Sequence, residues 1–350
     1  MKHRFVIDGR QLTGQIGGVQ RYISEILKEL DQIAELGEYE VLVPKNSDPK
    51  LSYNNIRIKK YGLFSGLLWE QISLPIYILK NKAYGIYPCT VCPMLRPKGI
   101  TVIHDVMIKI IPEVKRTVPL IPRILLEMNY RAGAKHSDRV VTVSEHSKQD
   151  IINTYHIPDS KISVIGNAWQ HMNDIEEDDG WKERFPQLKE GEYFFTLSAN
   201  RVQKNFKWIY EVAKRNPERI FAIAGTCEEW QKRIEYDAPN IIHLGFVSNE
   251  EGQSLMKNAK AFLFPSFYEG FGIPPMEALA CGAKIAIAEA SCLPEIYGNS
   301  AYYFDPFDYD IDLDALLEAE IAPPSEVLKR FGWDISAERL NALCHNLDEE

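Results

Sequence analysis

Residues 264–277 read Phe264-Pro-Ser-Phe-Tyr-Glu-Gly-Phe-Gly-Ile-Pro-Pro-Met-Glu277. The run ahead of the loop, Ala261–Phe264, has the apolar and aromatic content of a buried strand. Behind the loop, Pro274 or Pro275 suits the first turn of a helix, where a missing N–H leaves no intrahelical bond unmade. Between them, Glu269, Gly270 and Gly272 form a loop in which glycine lets a ligand approach the backbone. Strand, glycine loop and helix make one βα unit, and the pattern repeats on both sides of it. Strands are expected at Tyr193–Leu197, Ile220–Ala224, Ile241–Leu244, Ile285–Ala288 and Ala301–Phe304. Helices are expected over Asn205–Arg215, Glu228–Tyr236, Glu250–Asn258 and Pro274–Cys281.

The first half alternates in the same way. Strands are expected at Arg4–Asp8, Tyr39–Val43, Ile56–Tyr61, Ala83–Tyr87, Ile100–His104, Arg139–Ser144 and Lys161–Ile165, with helices over Gly18–Leu30, Leu68–Leu79 and Leu120–Lys135. In the first helix Val19, Ile23, Ile26, Leu27 and Leu30 fall on one face. Apolar runs separated by helices imply parallel sheets with crossovers. The stretch Asn167–Gly191, with its acidic cluster Glu176-Glu177-Asp178-Asp179, breaks the rhythm and is expected to be the linker. The fold class is therefore α/β: two doubly wound domains, 1–168 and 169–325, with a closing segment 326–350. Such sheets bind ligands outside the carboxyl ends of their strands, expected here to face one cleft. A sugar-nucleotide transferase, a bilobal binding protein and a two-domain oxidoreductase all fit that architecture.

A chain of 350 residues, 45% hydrophobic and 25% charged, has the composition of a globular enzyme. No run of 18 apolar residues suggests a membrane span, and MKHRFVIDGR lacks the apolar core of an export signal. Cys89 and Cys92 have the spacing of half a zinc site, but no second pair follows, so reduced structural cysteines are expected. The net charge is −9, and no nucleic-acid partner is expected. Residues 1–165 carry 23 Lys and Arg against 16 Asp and Glu, whereas the rest carry 17 against 33. That asymmetry suggests that the first half faces an anionic surface. Met107–Leu126, with Lys109, Lys115, Arg116 and Arg123 among apolar residues, either lies on an anionic membrane or is a helix facing the core. Asp308, Asp310, Asp312 and Asp314 are read as a solvated acidic face, with no metal site.

The segment from Glu269 to Gly282, with two glutamates separated by seven residues, resembles the signature of the retaining GT-B glycosyltransferases of family 4 (glycosyl transferases group 1). The resemblance extends over most of the chain. It implies a GT-B fold of two Rossmann-like domains, with a C-terminal helix returning to the first. Ser198-Ala-Asn-Arg-Val-Gln-Lys-Asn205 is similar to the family's phosphate-binding loop, implying that Lys204 and Arg201 meet the donor diphosphate. Glu277 is implied on the ribose and Glu269 on the sugar ring, with Gly270, Phe271, Gly272 and Ile273 lining the donor. Gly17 and Gly18 resemble the family's first-domain glycine loop, and His104 of His104-Asp105 its strand-end histidine, which meets the donor sugar. Trp69-Glu-Gln71 and Phe331-Gly-Trp333 are family-like as well. Ile165-Gly-Asn-Ala-Trp-Gln-His171 departs from the usual Asn-Gly.

The resemblance implies a bacterial surface-polysaccharide enzyme, of the O-antigen or capsule type. Its substrates would be a nucleotide sugar carrying a mannose- or rhamnose-like hexose, and a glycan or polyprenyl-linked acceptor. It implies no cofactor or metal, and a cytoplasmic place that includes the inner face of the plasma membrane. A sugar-nucleotide epimerase and a catalytically silent partner subunit are the alternatives.

Overall fold

The computed structural model describes residues 5–13, 18–49, 51–94, 98–197, 201–225 and 238–349. Gly17 and the helix expected over Glu228–Tyr236 lie outside them. The chain divides into two compact units, Met1–Asn167 with Trp333–Glu350, and Ala168–Gly332.

The sheet of the first unit contains β1 (Phe5–Asp8), β2 (Tyr39–Pro44), β3 (Arg57–Tyr61), β4 (Tyr84–Tyr87), β5 (Gly99–Val102), β6 (Arg139–Thr142) and β7 (Ile162–Val164). They run parallel in the order β3-β2-β1-β4-β5-β6-β7. The order reverses between β1 and β4, and Phe5, Val6 and Ile7 at the centre are buried. Arg57, Lys59 and Lys60 on edge strand β3 discourage pairing with another sheet. Helix Gly18–Ile33 buries Ile23, Ile26, Leu27 and Leu30 of the expected face, leaves Val19 half-buried and adds Tyr22.

Helix Trp333–Glu349 packs against Gly18–Ile33. Asn341 Oδ1 accepts from the Tyr39 hydroxyl at 2.6 Å, and Ser336 Oγ donates to the Gly166 carbonyl at 2.7 Å. This closing helix begins at Trp333 rather than 326. Residues 326–332 stay with the second unit, where Val327 is buried.

The helix expected over Leu68–Leu79 contains a π-helical turn, Trp69–Ser73, ahead of Leu74–Lys80. The wider turn sends three consecutive side chains to three strand ends. Trp69 Nε1 donates to Tyr61 O at the end of β3 (2.7 Å), and Arg10 Nε, just past β1, donates to Glu70 Oε1 (2.6 Å). Gln71 bonds Cys92 O (2.9 Å) and Met94 N (2.8 Å) in the loop that follows β4. Met107–Leu126 is no single helix: Pro112 and Pro119 divide it into Met107–Ile110, Pro112–Thr117 and the start of Leu120–His136.

The second sheet contains β8 (Tyr193–Leu197), β9 (Ile220–Ala224), β10 (Ile241–Gly245), β11 (Ala261–Phe264), β12 (Ile285–Ala288) and β13 (Tyr302–Phe304). All are parallel in the order β10-β9-β8-β11-β12-β13, reversing between β8 and β11.

The stretch expected as a linker is folded onto this unit instead. Trp181 is fully buried, with its Nε1 donating to Ser254 Oγ at 2.8 Å. Arg184 pairs with Glu251, and Glu177 with Lys257 at 2.6 Å. The acidic cluster has cationic and hydroxyl partners on helix Asn249–Asn258, so it behaves as a packed strap. The chain passes between units at Asn167 and Ala168. No described helix is long and apolar enough to cross a membrane.

Candidate active site

In the second unit, the loops leaving β8 and β11 flank the point where strand order reverses, the place where ligands bind doubly wound sheets. After β8 comes the short turn Val202–Lys204 and then Asn205 in a left-handed conformation (φ 52°). Asn205 Nδ2 donates to Pro306 O (2.8 Å) and Pro265 O (3.2 Å), and Phe267 N donates to Gln203 O (3.0 Å). These bonds tie the two loops together. Gly272 (φ 85°) turns the second loop into helix Ile273–Ala280, and a Cβ there would lie 2.7 Å from Leu293 Cδ2. Both the dihedral and the space require glycine. The Tyr297 hydroxyl donates to the Gly272 carbonyl.

This scaffold brings Lys204 Nζ to 2.7 Å from Glu269 Oε1, with side chains only 17% and 13% exposed. Lys204 Nζ also lies 4.6 Å from the Phe264 ring centroid, a cation–π contact. Ser291 Oγ accepts from Glu269 N at 3.0 Å, and Ser291 itself is left-handed (φ 49°). Arg201 stands exposed at the head of the 202–204 turn. Glu277 sits in the second turn of its helix, so it does not compensate the first-turn dipole. Its Oε1 lies 2.9 Å from His171 Nε2. Pro274 and Pro275 remove two N–H groups from the helix start, leaving fewer anion donors there than a helix of other residues has. Gly270 and Gly272 are buried, and Ile273 opens the helix. The Phe271 side chain is buried, 5.2 Å edge-on from Phe331, so it packs into the unit rather than lining an open surface.

In the first unit, His104 lies just beyond β5. Its ring is edge-on to Tyr22 at 4.9 Å, and its Nε2 is 2.9 Å from Pro88 O. A carbonyl only accepts, so Nε2 carries the hydrogen and Nδ1 is left as the acceptor. Burial pushes the His104 pKa down, favouring the neutral ring. Gly18 opens helix Gly18–Ile33, with no atom within 4 Å of a Cβ built on it.

Asp8 and Glu70 are buried at the β1–β4 reversal of this sheet beside Arg10. Burial raises Asp8 from 3.8 to about 6 and Glu70 from 4.5 to about 8, against the opposing pull of Arg10. Both carboxyls bind protons more tightly in the folded chain than in the unfolded one. Their contribution to stability is therefore full below about pH 4 and is lost as the pH rises through 6 to 8. Thermal unfolding of the wild type is expected to move to lower temperature between pH 5 and 9. Glu70→Gln should flatten that slope, and an unchanged slope would contradict the upward shift of these carboxyls.

Burial also pushes the Cys92 thiol up to about 12 and raises Cys89. Neither is an activated thiolate. The aspartate run serves local structure: Asp312 caps helix Leu313–Leu316, Asp308 accepts from Asp310 N, and Asp314 pairs with Arg219 and Lys260.

A family model described as glycosyl transferases group 1 matches residues 179–321, and one described as glycosyltransferase family 4 matches residues 16–169. The chain belongs to the family 4, group 1 glycosyltransferases. This glycosyltransferase is 24% identical to the O-antigen chain mannosyltransferase B of Escherichia coli, over 91% of this chain and 93% of that one. It is 28% identical to the O-antigen chain mannosyltransferase RfbU of Salmonella typhimurium, over 68% of this chain and 65% of that one. The crystal structure of Anabaena Alr3699/HepE in complex with UDP-glucose superposes with a TM-score of 0.65 at 13% identity, covering 99% of this chain and 98% of that one. At that identity the likeness is one of fold, the GT-B arrangement of two Rossmann-like domains.

Within the second unit of the glycosyltransferase, Lys204, Glu269 and Glu277 lie at or next to the reversal of strand order, and Arg201 borders it. Gly18 and His104 belong to the first unit. Sequence reasoning missed Asn205, Ser291 and Tyr297, which hold the loops, and the contact of His171 with Glu277. Asn tolerates the left-handed conformation of a turn, which is a local signal for the first. Nothing local announces the others.

Proposed function

We propose that this glycosyltransferase moves a mannose- or rhamnose-like hexose from a nucleoside diphosphate sugar to a glycan or lipid-linked acceptor, with retention of configuration, in the assembly of a bacterial surface polysaccharide. The observation that carries the reading is the largely buried Lys204–Glu269 pair at the β8–β11 reversal, with Glu277 on the adjoining helix. The O-antigen mannosyltransferases among its relatives support the sugar and the setting.

Lys204, assisted by Arg201, neutralises charge that develops on the departing diphosphate. Glu269 and Glu277 accept hydrogen bonds from the hydroxyls of the sugar and the ribose. The neutral His104 offers Nδ1 to a donor hydroxyl. With Glu269 committed to binding, the leaving phosphate assists removal of the acceptor proton, and attack comes from the face that the diphosphate leaves. Because Lys204 and Arg201 supply the positive charge, no divalent cation is required. The test is a thermal-shift screen of nucleotide sugars, followed by transfer assays with the one that stabilises most, in excess EDTA. The expected result is a glycosylated product with full turnover. An EDTA-sensitive loss restored by magnesium or manganese would contradict the assignment of the charge to Lys204 and Arg201.

We also assign the acceptor side to an anionic membrane surface. Among the described residues, eleven of the fifteen exposed large hydrophobics fall in 63–79 and 110–128, including Leu63, Leu79, Leu120 and Ile121. Apolar exposure concentrated in two adjoining stretches calls for a partner. The two stretches adjoin, since Gln71 Nε2 lies 3.4 Å from Asn129 Oδ1 and Trp69, Leu74 and Ala132 share one core cluster. Lys80, Lys82, Lys115, Arg116 and Arg123 border them, and each such group contributes about 1 kcal/mol at an anionic leaflet. The protein is expected to sediment with anionic liposomes at low salt and to release as ionic strength rises. Lys115→Glu with Arg116→Glu should abolish sedimentation and leave donor hydrolysis intact. A wild type that ignores such liposomes would point to a soluble acceptor.

A further inference from the structure

His171 and Glu277 stand far apart in sequence, yet His171 Nε2 lies 2.9 Å from Glu277 Oε1. Both belong to the second unit, and the side chains are 4% and 13% exposed. A ring nitrogen facing a carboxylate oxygen at that distance carries the hydrogen, so His171 donates whatever the charge on its ring. The segment that presents His171 is held in place. Trp169 Nε1 donates to Leu328 O (2.9 Å) and Gln170 Nε2 to Phe331 O (3.2 Å). The Phe331 ring in turn meets Phe271, in the loop that carries Glu269.

A glutamate on a helix has several accessible rotamers, and a buried donor fixed by its own neighbours selects among them. We propose that His171 is a positioning residue that sets the Glu277 carboxylate for the ribose hydroxyls of the nucleotide, so that ribose recognition depends on it. This rests on the reading of Glu277 as the ribose ligand. Trp169 and Gln170, in the segment that departs from the usual Asn-Gly, then have a purpose, which is to hold the histidine.

The test uses the ribonucleoside diphosphate that stabilises the protein most, with its 2′-deoxy and 3′-deoxy counterparts. Each is titrated calorimetrically into the wild type, His171→Leu and His171→Gln. His171→Leu is expected to bind the ribonucleotide roughly tenfold more weakly, the effect of losing a hydrogen bond to a charged group. The penalty for removing a ribose hydroxyl should nearly vanish in that variant, because the two losses are coupled. His171→Gln keeps an N–H donor and should recover most of the affinity. In turnover assays, the loss should fall on the donor KM far more than on kcat. Should the leucine variant fail to fold, His171→Asn, polar but too short to reach Glu277, replaces it with the same expectations. A folded variant that binds like the wild type, or that keeps the full deoxy penalty, overturns the proposal. So does a glutamine variant as weak as leucine, which would leave only packing. A wild type indifferent to both hydroxyls, together with normal binding by Glu277→Gln, would overturn the ribose reading itself.

Discussion

Lys204→Ala is expected to lower turnover by roughly two to three orders of magnitude, the usual cost of losing an electrostatic donor aimed at developing charge. Two physical effects act in the same direction. The diphosphate acquires charge as the glycosidic bond breaks, so a cation beside it stabilises the transition state more than the bound donor. Lys204 also holds Glu269 at 2.7 Å, and its removal leaves a largely buried carboxylate without its ammonium. Donor KM should change much less than kcat. Steady-state kinetics with the best donor checks this, with thermal unfolding to confirm that the variant is folded. Turnover within a few-fold of the wild type would remove Lys204 from its assigned place.

The second large effect separates the two glutamates. Glu269 adjoins Lys204 at the mouth of the strand reversal, whereas Glu277 lies in the second turn of the helix that follows, in contact with His171. Glu269→Gln should reduce turnover by roughly two to three orders of magnitude, as expected where a charge acting at the reacting centre is lost. Its affinity for the free nucleoside diphosphate should stay near that of the wild type, because that product carries no hexose. Glu277→Gln should do the reverse, weakening the nucleoside diphosphate roughly tenfold as a hydrogen bond to a charged group is lost. Calorimetric titration of both variants decides, and equal losses of nucleoside diphosphate affinity would refute the division of labour.

Much of the scaffold behind these effects is legible in the sequence, for a specific reason. Strands such as Phe194–Thr196 or Ile285–Ala288 are buried on both faces, so each leaves an apolar run that turn residues bracket. The loop from Glu269 to Gly272 is legible because its glycine occupies a position that only glycine fits. Other features escape because their cause is tertiary. The acidic stretch 176–179 looks like a linker until Lys257, Ser254 and the core slot for Trp181 are in place. The π turn at Trp69–Ser73 depends on three strand ends being gathered beneath one helix, which no local pattern encodes. Asp8 and Glu70 read as ordinary carboxylates, and only burial together makes both hold their protons to higher pH. His171 looks like a lone polar residue on a short turn until the fold brings Glu277 to it.

The most direct test is a crystal structure with the preferred nucleoside diphosphate bound. Its diphosphate should lie over the 201–204 turn, with Lys204 Nζ within hydrogen-bond distance of a phosphate oxygen and the Glu277 carboxylate on the ribose hydroxyls. A nucleotide seated away from the β8–β11 reversal, or one that leaves both Lys204 and Glu277 untouched, would contradict the account.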